Sequence, residues 1–164
     1  MLNKKKVALL GAMAAAAMAS TGAQAATATA TADVRIIAAV QLQQTDGLDF
    51  GIVAPSAVAG TVTINTASNG RNCAQVTCVG TASRGRFIVT GSSVGYPILI
   101  TVPASVSLTS TAGSPMLVTL SPSNLTLNSS ATAQEFFVGG VLNVGSNQAA
   151  GAYTGSYVVT ADYQ

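Results

Sequence analysis

The stretch Gly151 to Gln164 places Gly151, Tyr153, Gly155, Tyr157, Val159, Ala161 and Tyr163 on one face of an extended strand, with mostly polar side chains on the other. Successive side chains of a strand point to opposite sides of the pleat, so this alternation describes a half-buried β-strand. The pattern runs to Gln164. The expectation is therefore an uncovered far edge, with N–H and C=O groups open to pairing with another chain.

A second strict alternation begins at Ala26. Ala26, Ala28, Ala30, Ala32, Val34 and Ile36 share one face, and Thr27, Thr29, Thr31, Asp33 and Arg35 take the other. Disorder does not require such regularity, and β-branched threonine favours extended backbone. The reading is a strand with small knobs. One arrangement accounts for both patterns: the N-terminal strand of one copy fills the open edge beside the C-terminal strand of the next. Backbone hydrogen bonds would then supply affinity, while alternating side chains set register. Such a contact is heterologous, and its repetition yields a filament.

Residues 1–25 have the form of a secretory signal. Lys4, Lys5 and Lys6 supply the basic region, Val7 to Met18 the apolar stretch, and Ala23-Gln24-Ala25 an A-x-A cleavage site. The apolar stretch falls short of the roughly 20 residues needed to span a bilayer, and no comparable run follows it. Export through the inner membrane, with no membrane span, is the expectation. Cleavage leaves four arginines against five carboxylates, a net charge of −1. With no basic patch, nucleic-acid binding is not expected.

About 139 residues then remain, the size of one domain with one core. Short alternating segments separated by turn chemistry predict strands at Val34 to Leu42, Leu48 to Val53, Thr61 to Asn65, Gln75 to Val79, Arg86 to Thr90, Ile98 to Val102, Met116 to Leu120, Phe136 to Val144 and Tyr153 to Tyr163. Asp46-Gly47, Ser68-Asn69-Gly70 and Gly113-Ser114-Pro115 are among the turns. Many short strands at this spacing predict an all-β, immunoglobulin-like β-sandwich over residues 38–164, preceded by an extension at 26–37.

Cys73 and Cys78 are the only cysteines, and in an oxidising compartment a disulfide is the default. No metal site is expected, since the chain has no histidine and two cysteines do not complete a zinc tetrahedron. Gly91-Ser92-Ser93-Val94-Gly95 matches G-x-S-x-G, but with no histidine, and no lysine beyond the signal, the serine lacks a base. Asp46 and Asp49 suggest half of a calcium loop without its other ligands, and a turn explains them. No enzymatic activity and no cofactor are expected.

Gly151 fourteenth from the end, penultimate Tyr163, the apolar alternation between them and the alternating extension resemble bacterial chaperone-usher pilus (fimbrial) subunits. Leu48-Asp-Phe-Gly51, Phe137-Val-Gly-Gly-Val-Leu142 and Gly151-Ala-Tyr-Thr-Gly155 also resemble a family of secreted bacterial immunoglobulin-like domains of unassigned function. The pilus resemblance implies an incomplete sandwich that lacks its last strand. A periplasmic chaperone lends one, and an outer-membrane usher exchanges it for the extension of the next subunit. It further implies a surface fimbrium, with Ala28, Ala30, Ala32, Val34 and Ile36 as the donor face. Gly151, Tyr153, Tyr157, Val159 and Tyr163 would form the acceptor groove. Alanine is small for such a donor, and Cys73 and Cys78 lie closer together than in pilins whose disulfide joins distant strands. The domain has no room for a separate tip-binding module, which favours a shaft subunit. The alternative is a self-complemented monomeric β-sandwich that binds a matrix polymer or carbohydrate.

Overall fold

A computed structural model describes residues 24–130 and 132–164. Apart from Gln24 and Ala25, the expected signal lies outside the described residues. The chain divides into two units, Met1–Arg35 and Ile36–Gln164. In the first, residues 24–35 are exposed throughout and form neither helix nor strand.

The second unit is all-β, an immunoglobulin-like sandwich of antiparallel strands with no helix among the described residues. Its strands are β1 (Gln41–Asp46), β2 (Ile52–Ala54), β3 (Gly60–Ile64), β4 (Arg71–Ala74), β5 (Thr77–Val79) and β6 (Gly85–Thr90). There follow β7 (Ile98–Thr101), β8 (Ser105–Leu108), β9 (Met116–Pro122), β10 (Thr126–Leu127), β11 (Gln134–Val144) and β12 (Thr160–Tyr163). No helix among the described residues is long and apolar enough to cross a membrane.

The long strand β11 organises the larger sheet. Its first half pairs with β6, from Gln134↔Val89 to Val138↔Gly85, and its second half pairs with β3, from Gly140↔Ile64 to Val144↔Gly60. Because Val138 to Leu142 also pair with β9, the strands β6 and β3 must follow one another along the same edge of β11, changing over at Gly139. β1 extends the sheet beyond β6, β4 beyond β3 and β8 beyond β9. The smaller sheet runs β10-β7-β12, and β2 pairs with β5 in a separate ribbon.

Alternation decides which faces meet. Phe87 and Val89 of β6, Met116, Val118 and Leu120 of β9, and Phe136, Val138, Leu142 and Val144 of β11 point inward, joining Ile98 and Ile100 of β7 in one core. Phe87 and Phe136 are register partners on adjacent strands, and their rings stack with centroids 5.1 Å apart.

Several expected strands shift for identifiable reasons. The strand predicted at Val34 to Leu42 begins only at Gln41, and 24–40 take part in no ladder. Alternation alone does not make a strand, because each N–H and C=O needs a neighbouring edge. Tyr153 to Tyr163 is a regular strand only over Thr160–Tyr163, paired with β7; farther back only Thr154 is bridged, to Thr109 just past β8, and between these two partners lies Val102-Pro103-Ala104, where proline lacks an N–H. The span predicted at Gln75 to Val79 is a strand only over Thr77–Val79, because Gln75, at positive φ, and Val76 make the turn between β4 and β5. Strands β4, β8 and β10 lie outside the predicted set.

Candidate functional site: an open groove between two strand edges

An apolar groove of about 610 Å³ opens along one side of the sandwich. Val106 and Leu108 of β8, Met116 and Val118 of β9, and Leu142 and Val144 of β11 line it, together with one lip at Leu48 to Val53 and another at Gln148 to Tyr157. Met116, Val118, Leu142 and Val144 are buried at its floor, whereas Val106, Leu108, Tyr153 and Tyr157 on its walls are half-buried.

The first lip is held from behind. Asp49 exchanges both backbone hydrogen bonds with Ser83, at 2.8 and 2.9 Å, and its carboxylate accepts the N–H of Gly51 at 2.8 Å. That turn needs Gly51, whose φ is +73°. Beyond it, Ile52–Ala54 pairs with Thr77–Val79. Arg71 donates from Nη1 to the carbonyls of Phe50 (2.9 Å) and Val79 (3.3 Å), and from Nη2 to Gly80 (3.1 Å). Cys73 of β4 and Cys78 of β5 are bonded, and Cys78 is the register partner of the groove residue Val53. The disulfide and the guanidinium thus fasten one lip to the sheet.

The second lip is less completely paired. Thr154 exchanges backbone hydrogen bonds with Thr109, at 2.8 and 3.0 Å. Gly155 passes so close to β8 that a Cβ would stand 2.5 Å from the Ser107 carbonyl, so only glycine fits there. From Gly155 to Val159 no backbone hydrogen bond to another described residue forms, until β12 docks on β7. A row of strand-like peptide groups is left beside an apolar groove.

Two tyrosines project from this lip in different states. The Tyr153 hydroxyl donates to the Ala149 carbonyl and accepts from Gln148 Nε2, both at 2.8 Å. The Tyr157 hydroxyl is buried without a hydrogen-bond partner among the described residues, and desolvation raises its pKa above the usual 10.0.

Gly151, Tyr153 and Tyr157 of the expected acceptor set line the groove. Val159 instead packs against the core, and Tyr163 bonds with Ala38 and Ser93 beyond the groove. Of the expected donor set, Ala28, Ala30 and Ala32 are exposed, Val34 is 87% exposed and Ile36 is 90% exposed. The Ser93 hydroxyl of the G-x-S-x-G match accepts the N–H of Ala38 at 2.9 Å in a turn between strands. Sequence reasoning did not assign Leu48, Phe50, Leu108, Met116 or Gln148 to a site. The spacing of Leu48, Phe50 and Ile52 was the available signal for the first lip; Arg71 carried none.

Residues 40–163 match a family described as a domain of unknown function, DUF4402. The chain belongs to the DUF4402 family. The DUF4402 span includes all twelve strands of the described residues and both lips, and it begins after the alternating residues 26–36. No curated protein matches the chain. Since the family description assigns no activity, the function of this DUF4402 domain has to be argued from its groove.

Proposed function

We propose that this chain is a structural subunit of a surface pilus, a shaft subunit rather than a tip, that polymerises by donor-strand complementation. The observation that carries the reading is the apolar groove flanked by the unpaired backbone of Gly155 to Val159. A strand laid there would cover the half-buried Leu108, Tyr153 and Tyr157 and form hydrogen bonds with the free lip, each worth a net ~0.5–1.5 kcal/mol. The occupant has the right period within the same sequence: Ala28, Ala30, Ala32, Val34 and Ile36 alternate with polar residues and are exposed. Donation from one copy to the next is heterologous, and where its rotation does not close a ring it extends into a filament.

The charged and apolar segments of residues 1–25 support export to the periplasm and then to the cell surface. A subunit with an open groove needs protection before assembly, which is the role the pilus resemblance gives to a periplasmic chaperone, with an outer-membrane usher directing exchange. The reaction proposed is strand exchange, without bond chemistry or cofactor.

The test compares chains starting at Ala26 and at Ile37 by sedimentation. The longer chain should form filaments, and the shorter should stay monomeric yet accept a peptide spanning residues 26–37. If both remain monomeric, are equally stable and ignore the peptide, the reading fails.

A further inference from the structure

Both tyrosine rings of the groove are seated against glycines. A Cβ at Gly113 would overlap the Tyr153 hydroxyl, and one at Gly85 would stand 3.0 Å from the Tyr157 hydroxyl. Backbone therefore lies directly behind each ring tip. Tyr153 is further fixed by its bonds to Ala149 and Gln148, and the Tyr157 oxygen is sealed from solvent. Neither ring can sink deeper without displacing main chain, so together they limit how large a side chain can enter from the open side.

We propose that the groove selects by size for a strand whose central inward residues are alanine, the Ala28, Ala30 and Ala32 face of a second copy, with Tyr153 and Tyr157 setting the limit. This rests on the donor-strand reading and adds a specificity to it. Two rigid lining rings and small donor residues are two halves of one packing arrangement. Methyl groups fit between rigid rings, whereas a longer side chain forces strain, as overpacking does in any filled core. The same limit would exclude donor strands with bulky inward residues, so copies of this chain pair with each other in preference to other alternating strands.

The experiment uses chains beginning at Ala26. Ala30→Leu and Ala32→Leu change residues that are exposed in the separate chain, so folding is not at risk. Each should raise the critical concentration for assembly at least about tenfold, equivalent to about 1.4 kcal/mol. Pairing each change with Tyr157→Ala or Tyr153→Ala should restore assembly for at least one combination. If a tyrosine variant does not fold, synthetic peptides spanning residues 26–37, native or with leucine at position 30 or 32, are compared as inhibitors of assembly by the parent chain. Equal assembly of parent and leucine chains, or equal inhibition by the peptides, overturns the size limit and leaves the donor-strand reading standing. A parent chain that neither assembles nor binds the native peptide overturns both.

Discussion

The hydroxyl of Tyr163 donates to the carbonyl of Ala38 at 2.8 Å, joining positions 125 residues apart. The same oxygen accepts the N–H of Ser93 at 2.7 Å, and Ser93 Oγ accepts the N–H of Ala38 at 2.9 Å. Tyr96 packs edge-on against the Tyr163 ring, with centroids 6.2 Å apart. This three-way tie joins the segment leading into β1 to the end of β12. The gap between the first and last parts of the domain is bridged here, while farther along it opens into the groove.

Tyr163→Phe keeps the ring and removes both bonds. It leaves the part-buried amide of Ser93 without that partner, while the exposed Ala38 carbonyl can turn to water, so the domain should lose about 1 kcal/mol of stability. Urea unfolding of the chain starting at Ile37 measures this without interference from assembly. A change within about 0.3 kcal/mol would show that the tie is incidental.

Breaking the disulfide should act locally. Cys73 and Cys78 are five positions apart, so closing so short a loop constrains the unfolded chain by about 2 kcal/mol at most. Because Cys78 lies beside Val53 in the β2–β5 ribbon, a Cys73→Ser, Cys78→Ser variant should show its largest gain in amide exchange at Ile52–Ala54. Uniform acceleration across β6, β9 and β11 would instead assign the bond a global role.

Strands with inward β-branched or aromatic residues on a strict period were legible in the sequence. β3, β6, β7 and β11 each bury two or more such side chains, β9 buries Val118 between Met116 and Leu120, and their patterns survive into the structure because the core enforces register. β8 is Ser105-Val-Ser-Leu108, with only two half-buried side chains, too short and too polar to stand out from the Ser/Thr-rich background. As a site the groove was assigned only in its second lip, through Gly151, Tyr153 and Tyr157, while the first lip showed only as the alternation of Leu48, Phe50 and Ile52. Its first lip depends on Arg71 reaching three carbonyls in other segments, a relation no local pattern encodes. The extension at 26–36 shows the opposite case, a clear strand pattern that forms no strand in one described copy.

Arg71 therefore offers a test of how the first lip is held. Arg71→Met preserves most of the aliphatic stem and removes all three donations. With the carbonyls partly open to water, the expected loss is about 2 kcal/mol, concentrated at Leu48 to Val53. Under donor-strand complementation the same variant should bind the 26–37 peptide several-fold more weakly, since a loosened lip must be ordered on binding. Exchange rates at Phe50 and Ile52 identical to the parent would remove the clamp from the account.

The buried hydroxyl of Tyr157 ties stability to alkaline pH in a direction that can be worked out. Desolvation disfavours the phenolate, so the folded-state pKa lies above the usual 10.0 and the unfolded chain releases this proton first. Above about pH 10 the unfolded state therefore binds fewer protons than the folded one, and stability falls as pH rises towards the folded-state value. Below pH 10 this contribution is intact. Tyr157→Phe removes both the titrating group and an unpartnered buried oxygen, so near neutral pH it should be neutral or stabilising by up to about 1 kcal/mol. Urea unfolding at pH 7 and at successive steps above pH 9 should show a shallower alkaline decline in the phenylalanine variant. Parallel curves for the two chains, or a loss of stability at pH 7, would mean that the hydroxyl finds a partner in the folded chain in solution.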